Sequence, residues 1–365
     1  MENKKISVSF AAIDKYIGDN IIENEQKEIK GKNMVEYGQK NIFPNYVYNL
    51  YENVSILKSV IDGLRDYICG SNITINKPEY KEHINDKGET IEDIVKQMAQ
   101  SYMVYGGIAL NIVRNRLNGI AGIYVLDFKC VRSDKKNTKF YYSEDWANKS
   151  LGRINMTVYP AYKIDGKDAS SIFYYKDDNY KTYPSPKWGA AVVSAEILKH
   201  INEFNLNNLY NGLSSDYIVN MNAGVPADPV KEEIEENFSE KYTGFQNGGR
   251  TMICYNPDFQ HRTTVEALPQ SSFIDKYNAI RENSIKDVYS AFRVHPVLFG
   301  LPTDNSGFND QDFQEAYKLA QATVVLPVQK EIKRIFEKIF GEKEVVTIEP
   351  FNIDWSEEED KNLVK

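Results

Sequence analysis

Histidine, cysteine and clustered carboxylate side chains are the groups best able to bind metals or transfer protons, so their spacing bounds the chemistry of this chain. The histidines are widely spaced, without the i, i+4 pairs of a helical metal site. They are His83, His200, His261 and His295. The three cysteines are also far apart, at Cys69, Cys130 and Cys254, and form no CxxC pair. We therefore expect no metal, cofactor or disulfide framework, although folding of three histidines around a carboxylate remains an alternative.

Catalytic motifs are equally scarce in the sequence. It contains no GxxxxGK[ST] loop, GxSxG elbow, HExxH pair or dinucleotide fingerprint. The stretch "NGGR" (247–250) fits a turn before a strand better than a phosphate nest, and "EEIEEN" (232–237) fits a solvated helix face better than a cation site. The sequence predicts a protein that is not an enzyme. An intracellular enzyme with an unrecognised carboxylate site is the alternative.

The composition is that of a globular protein without membrane spans. Of its 365 residues, 42% are hydrophobic and 26% are charged, and no apolar run is long enough to cross a bilayer. The first 20 residues do not have the pattern of a signal peptide, so we expect a cytosolic site of synthesis. A net charge of −8 disfavours tight nucleic-acid binding, but it does not exclude a surface past which DNA slides.

Hydrophobic periodicity predicts an α+β fold. Apolar residues recur with helical spacing between residues 49 and 69, and Gly70 suits the end of that helix. Thr90 is a predicted N-cap for a second helix that ends at Gly106. Two β-rich runs flank the hairpin dipeptide Asn118-Gly119, and further strands are predicted in 155–164 and 171–184. Helices return at 187–212, at 271–293 and in a final segment that contains Pro327, where we expect a kink.

A compact insert separates the helices at 187–212 and 271–293. It reads as a strand (216–222), an acidic helix, a second strand (248–256) and a possible third (262–268). Asp228 is the predicted N-cap of the acidic helix and Pro229 its first residue, and Glu232 and Glu235 follow. The insert is therefore predicted to be a small α/β unit.

The stretch "RVHPVLFGLPTDNSGFND" (293–310) breaks what would otherwise be one long helical region. Its first half is apolar, which predicts an anchor buried in the core. The anchor residues are Val294, Pro296, Leu298, Phe299 and Leu301. Its second half consists of small, uncharged or acidic residues that favour a projecting loop.

Several segments resemble the portal proteins of tailed phages. "YGGIALNIVRNRLNGIAGIYVLD" is similar to the family's hairpin, "NAIRENSIKDVYSAFRVHPVLFGLP" resembles its I-x-x-A-F-x-V-P-P-x-L-L-G signature, and "ATVVLPVQKEIKRIFEKIF" is similar to its closing helix. The likeness covers most of residues 40–341. It departs at His295-Pro296, where the family usually has two prolines.

The resemblance implies a homo-oligomeric ring, usually a dodecamer, at one vertex of the virion capsid. Double-stranded DNA would pass through it without sequence preference during packaging and ejection. Its implied partners are the terminase large subunit, the head-tail adaptor and the major capsid or scaffold protein, and assembly would occur in the host bacterial cytoplasm. Another virion component, such as an adaptor or minor capsid protein, is the structural alternative.

The resemblance also implies a division of the chain into portal regions. These are an N-terminal arm (1–44), a wing (45–188), a stem helix (189–213), a clip (214–269), a second stem helix (270–293), a tunnel loop (294–312), a kinked wing helix (313–341) and a short C-terminal tail (342–365), with the crown reduced or absent.

The tunnel loop is the implied point of contact with DNA in the channel. Its projecting residues would be Thr303, Asp304, Asn305, Ser306, Gly307 and Asn309. An ordinary interhelical connection with an apolar plug is the alternative for this segment. Likewise, the asparagine-rich face of the first stem helix is either a pore lining or an exposed surface.

Overall fold

The computed structural model describes residues 22–29, 31, 33–146, 155–177, 180–210, 217–221, 226–230, 251–255, 259, 271–300 and 310–351. Contacts divide the chain into two units, one comprising residues 1–193 and 287–365 and the other residues 194–286. Helices and strands are mixed, as the α+β prediction requires. Among the helices of the described residues, none has the length and apolarity to span a membrane.

Seven long helices are found in the described residues. They are α1 (Phe43–Asn53), α2 (Ser55–Cys69), α3 (Ile91–Tyr105), α4 (Val192–Tyr210), α5 (Ser271–Phe292), α6 (Asp310–Ala320) and α7 (Leu326–Phe340). Short 3₁₀ turns connect several of them, and five residues of π-helix, Gln321–Val325, join α6 to α7.

The strands form small sheets. They are β1 (Asn72–Ile75), β2 (Gly107–Arg114), β3 (Ile120–Val125), β4 (Val131–Ser133), β5 (Lys139–Tyr142), β6 (Thr157–Pro160), β7 (Ser170–Lys176), β8 (Tyr217–Met221), β9 (Thr251–Tyr255) and β10 (Val346–Glu349). In the first unit, β2 lies between β3 and β7, β5 lies between β4 and β6, and β1 pairs with β10, all antiparallel. The core of this unit contains α2, α3 and α7, whose buried faces carry leucine, isoleucine, valine and phenylalanine.

Local sequence signals place the start of α3 and the hairpin correctly. Thr90 accepts a hydrogen bond from the backbone N–H of Asp93, whose carboxylate accepts one from the backbone N–H of Thr90, so both ends of a capping box are made. The hairpin pairs β2 with β3 as predicted, and Asn118 has the positive φ of 67° that its loop requires. These predictions are confirmed.

The single helix predicted over residues 49–69 is wrong in one respect. Val54 has an extended backbone, with φ −105° and ψ 103°, and separates α1 from α2. The helical spacing of buried residues persists across this break, with Leu50, Val54 and Leu57 all at most 1% exposed. A hydrophobic pattern reports which residues are buried and not whether the backbone is continuous between them.

The N-terminal arm contributes to the core of the first unit. Tyr37, within the predicted arm, is 1% exposed and its ring stacks on that of Tyr183 at a centroid distance of 4.2 Å. Its hydroxyl donates to the carbonyl oxygen of Pro184 at 2.8 Å. Met34 and Val35 are also buried. Part of the arm therefore belongs to the core of this unit.

The C-terminal tail likewise contains structure that the sequence did not predict. Val346–Glu349 forms β10 and pairs with β1 in the register Ile73↔Ile348. The carbonyl of Glu349 also accepts a hydrogen bond from the N–H of Ser71 at 2.9 Å. The predicted tail over 342–365 thus begins with a strand that closes a two-stranded sheet.

The second unit contains the parallel pair of β8 and β9, which confirms two strands of the predicted insert. The rest of the insert, including its third predicted strand, lies largely outside the described residues. In the same unit, the Tyr277 hydroxyl donates to the carbonyl oxygen of Ile201 at 3.1 Å. Ile280 of α5 is 50% exposed.

Buried and half-buried tyrosines make the stability of the fold sensitive to alkaline pH. Burial is the main cause that raises the pKa of Tyr142, Tyr175 and Tyr289 to about 12 each. Because these phenols hold their protons more tightly in the folded chain than in the unfolded one, their contribution to stability is complete below about pH 10 and is lost as pH rises toward 12. We expect the urea midpoint to fall over that window. Circular dichroism at stepped pH, with tyrosinate absorbance recorded in parallel, measures both events, and a constant midpoint to pH 12 contradicts the assignment.

Candidate functional site

The segment that follows α5 is held by a sharp turn. Arg293 adopts the left-handed conformation with φ 58°, and the N–H of Val294 donates to the carbonyl of Tyr289 at 3.2 Å. His295 then caps the 3₁₀ turn Pro296–Phe299, because its Nδ1 accepts a hydrogen bond from the N–H of Val297 at 3.3 Å. Helix α5, the turn at Arg293 and the capped 3₁₀ turn together fix the position of the chain just before residues 301–309.

The predicted anchor residues differ in their burial. Val294 and Leu298 are 8% and 7% exposed and therefore belong to the core. Pro296 and Phe299 are half-buried. Leu301 lies outside the described residues, as do the predicted projecting residues Thr303, Asp304, Asn305, Ser306, Gly307 and Asn309.

Tyr67 of α2 contacts the chain on both sides of residues 301–309. Its hydroxyl donates to the carbonyl oxygen of Leu298 at 3.3 Å, and its ring lies edge-on to Phe299 at a centroid distance of 6.5 Å. On the other side, it meets Tyr317 of α6 at 5.7 Å and Phe351 at 6.3 Å. We call Tyr67, Tyr289, Phe299, Tyr317 and Phe351 the aromatic clamp, which Tyr289 joins through Phe299 at 5.9 Å.

Gly63 makes room for the clamp. A Cβ atom at this position would lie 2.7 Å from Cε1 of Phe299, closer than side chains pack. A glycine inside a helix is less favourable than alanine by about 1 kcal/mol, so this residue has a packing role that offsets its poor helix propensity. Neither Gly63 nor Tyr67 was predicted as a site residue, although a glycine in the interior of an amphipathic helix is a signal of close approach.

The aromatic clamp holds its segments together by ring contacts and provides no acid–base chemistry. Burial raises the pKa of Tyr289 to about 12 and also raises that of Tyr67, so both phenols stay neutral at physiological pH. The Tyr317 hydroxyl donates to the carbonyl of Phe351 at 3.4 Å and accepts from Nε2 of Gln321 at 2.9 Å. The arrangement can position a loop, and it contains no nucleophile or base poised for a reaction.

Pro327 lies at the start of α7, directly after the π-helical turn. Proline cannot donate a backbone hydrogen bond, and its ring crowds the carbonyl four residues earlier, at Thr323. The wider π turn is the local irregularity at this point, and the Thr323 hydroxyl donates to the carbonyl of Leu319 at 2.8 Å. The predicted kink residue thus coincides with a change in helical geometry.

The predicted clip helix is described only at its start. Residues 228–230 are helical, so Asp228 and Pro229 lie in its first turn, and the N–H of Val230 donates to the carbonyl of Ala227 at 2.9 Å. Glu232 and Glu235 lie outside the described residues.

The histidines do not converge in the part of the chain that is described. His200 pairs with Glu196 and Glu203, four and three residues away on its own helix, at 3.1 and 2.9 Å. His295 caps the turn described above, and His261 lies outside the described residues. Within the described ranges, no group of three or more histidine, cysteine or acidic side chains is arranged to hold a metal ion.

Comparison with known proteins gives one family and one fold. The sequence model of the family described as phage portal protein matches residues 83–353. No curated protein matches the chain. Among solved structures, the chain is similar to a chain in the neck of an empty gene transfer agent particle determined with C6 symmetry. The two chains are 14% identical, the match covers 90% of this chain and 88% of that one, and the TM-score is 0.55.

Two further structures from gene transfer agent particles are similar to the same extent. A chain in the neck of the native particle, determined with C12 symmetry, is 14% identical, with 84% of each chain covered and a TM-score of 0.51. A chain in the native virion is 14% identical, with 85% of this chain and 84% of that one covered and a TM-score of 0.52. At this identity, the likeness concerns the fold.

Proposed function

Because the chain belongs to the phage portal protein family, we propose that it forms a ring at one vertex of a virion capsid, through which double-stranded DNA is packaged and ejected. The family match over residues 83–353 is the observation that carries this proposal. The matched range includes the hairpin of β2 and β3, helices α4 and α5, the insert between these helices, and the segment that the aromatic clamp contacts. The family is structural, and we assign the chain no catalytic role.

Exposed apolar side chains support assembly into a ring. In the second unit, Phe204, Leu206 and Ile280 are 45%, 50% and 50% exposed, on α4 and α5. Large apolar groups exposed on long helices are typical of surfaces that a partner covers. The similar chains in gene transfer agent necks come from particles described with C6 and C12 symmetry. We therefore propose a homo-oligomeric ring of twelve copies in the virion, assembled in the host cytoplasm.

The portal regions follow from this proposal. Helices α4 and α5 are the two stem helices, and the insert that contains β8 and β9 is the clip. Residues 45–188 form most of the wing together with α6 and α7. The clip docks the terminase large subunit during packaging and the head-tail adaptor afterwards, and the wing contacts the capsid or scaffold protein.

Residues 294–312 are the proposed tunnel loop. The aromatic clamp supports this assignment because one of its side chains, Tyr67, contacts the chain on both sides of residues 301–309. Side chains such as Asn305 and Ser306 are small and uncharged, so they would meet a DNA backbone without gripping it.

We expect the purified protein to bind duplex DNA weakly and without sequence preference at physiological salt, with a Kd of about 10⁻⁶ M or weaker. The net charge of −8 leaves few cations to displace phosphate counterions. Filter binding over a range of salt, with two unrelated duplexes of equal length, measures this. Tight retention of one duplex over the other contradicts a conduit function.

Replacing residues 216–265 by a short flexible linker should abolish docking of the terminase large subunit and leave the first unit folded. The insert lies wholly in the second unit, so its removal spares the core that contains α2, α3 and α7. Co-sedimentation of terminase with the variant measures docking, and near-ultraviolet circular dichroism is the folding control. Native affinity for terminase in a folded variant would show that the clip lies elsewhere.

A further inference from the structure

We propose that a cavity beside the turn at Arg293 is a binding site for an oxyanion, a phosphate or carboxylate group. The cavity has a volume of about 250 Å³. It is bounded by Tyr102 of α3, by the end of α5 at Phe292, by the π turn at Thr323 and by α7 at Pro327. All of these residues belong to the first unit. The inference does not depend on the proposed function.

Two cations, Lys187 and Arg293, line the cavity, and within the described part of the chain none of its lining residues is acidic. Lys187 forms an ion pair with Asp177, which is not in the lining, whereas Arg293 has neither an ion pair nor a hydrogen bond from its side chain among the described residues. Arg293, which is exposed, therefore brings to the cavity a positive charge that no acidic side chain of the described residues pairs. An anion is the ligand that this charge favours.

The two cations line the same cavity. Burial is the main cause that lowers the pKa of Lys187, and the positive charge of Arg293 lowers it further. Like charges that share a partly enclosed site repel each other, and an oxyanion between them would relieve that repulsion. The guanidinium of arginine suits this task because it presents several N–H donors in a planar fork.

A third donor comes from Tyr102. This residue is 5% exposed, and its hydroxyl has no hydrogen-bond partner among the described residues. Burial is the main cause that raises its pKa, so the phenol keeps its proton, and the charge of Arg293 opposes the shift. The Lys187 ammonium lies 5.8 Å from the centroid of the Tyr102 ring. The negative charge of Glu331, which is not one of the residues lining the cavity, also raises the pKa of Tyr102. Residues that carry an ammonium, a guanidinium and a phenol thus line one cavity.

The backbone at Arg293 supports the same conclusion. Its left-handed conformation, with φ 58°, costs a side-chain-bearing residue about 1 kcal/mol that glycine would not incur. A long cationic side chain at a position that favours glycine points to a use for that side chain.

The test is a titration of the full-length chain with sodium phosphate, compared with sodium chloride at equal ionic strength. We expect the thermal midpoint to rise saturably with phosphate and not with chloride, since a ligand that binds only the folded state stabilises it by mass action. R293Q should bind phosphate at least tenfold more weakly. Lys338→Gln, a matched loss of charge at an exposed position of α7, should bind it like the wild type.

R293Q also separates a binding role from a structural one. Without phosphate it should unfold at or slightly above the wild-type midpoint, because the repulsion with Lys187 is removed. A purely structural arginine would give a lower midpoint. No saturable effect of phosphate on the isolated wild-type chain, or an unchanged affinity in R293Q, overturns the proposal.

The same titration distinguishes two sources of the oxyanion. If a free anion is the natural ligand, isolated chains and assembled rings should both bind phosphate. If a carboxylate of a neighbouring copy fills the cavity, only isolated chains should bind it. Should no ring form at all, the proposed function fails while the result on isolated chains still decides the existence of the site.

Discussion

Replacing Arg132 by alanine should lower the free energy of unfolding by about 3–5 kcal/mol. Arg132 lies on β4 and is fully buried, with 0% exposure. Its guanidinium donates to Oδ1 and the carbonyl of Asn41 at 2.5 and 2.6 Å, and to the carbonyls of Lys129 and Val131 at 2.9 and 2.8 Å. Removing the side chain would take a donor from each of these acceptors and open a cavity, although Oδ1 of Asn41 would keep its hydrogen bond from the N–H of Tyr37.

Aromatic rings complete the environment of Arg132. The rings of Tyr37 and Trp146 lie 5.7 and 5.0 Å from its guanidinium carbon, at cation–π range. Burial lowers its pKa to about 10, so the group remains charged at neutral pH. Because Tyr37 and Asn41 belong to the N-terminal arm, the arginine fastens that arm to the sheet.

The experiment is urea denaturation followed by circular dichroism. Arg116→Ala, at an exposed loop position, is the matched control and should change stability by less than about 0.5 kcal/mol. Limited proteolysis should also cut residues 22–43 faster in the Arg132→Ala protein. Equal stability of the two variants would mean that the buried arginine does not fasten the arm.

Phe299→Ala should cost about 2–3 kcal/mol and reduce the yield of assembled rings. The value is below that of a fully buried phenylalanine because Phe299 is half-buried, although its ring contacts Gly63, Tyr67 and Tyr289.

By contrast, Asn305→Ala and Ser306→Ala should change stability by less than about 0.5 kcal/mol and instead alter DNA packaging or retention. If these two variants lose stability while packaging per ring stays normal, the segment is a packed connection and not a tunnel loop.

Gly63→Ala provides an independent test of the aromatic clamp. Alanine favours a helix by about 1 kcal/mol over glycine, yet here its Cβ would lie 2.7 Å from the Phe299 ring, so we expect destabilisation. Combining it with Phe299→Ala removes the clash, and the double variant should be more stable than the sum of the single effects predicts. Gly189→Ala, where an added Cβ meets nothing within 4 Å, is the control.

Local features of the fold were predictable because their causes lie within a few residues. Thr90 and Asp93 are three positions apart, so the capping box is written in one short stretch. The break at Val54 was not predictable, since the burial pattern continues through it. The pairing of β10 with β1 and the packing of Tyr37 on Tyr183 were also missed. These contacts join distant segments whose own patterns are too short to indicate a partner.

In the candidate site too, residues with a local pattern could be predicted and residues joined by long-range contacts could not. An apolar run after a helix indicated the anchor, and Val294 and Leu298 are buried. Tyr67 could not be predicted, because its hydrogen bond to Leu298 spans 231 positions of the sequence. The cavity at Lys187 and Arg293 was missed for the same reason, since its residues come from four separate segments and share no motif.

The most direct test of the portal assignment is electron microscopy of the purified full-length protein. We predict closed rings with a central hole wide enough for duplex DNA, with twelve-fold symmetry in particles taken from virions. Ring formation should depend on the exposed apolar residues of α4 and α5, so Ile280→Asp should shift the population toward single chains while leaving each chain folded. A wild-type protein that remains a monodisperse monomer at every concentration, and is absent from the vertex of the virion, would contradict the assignment.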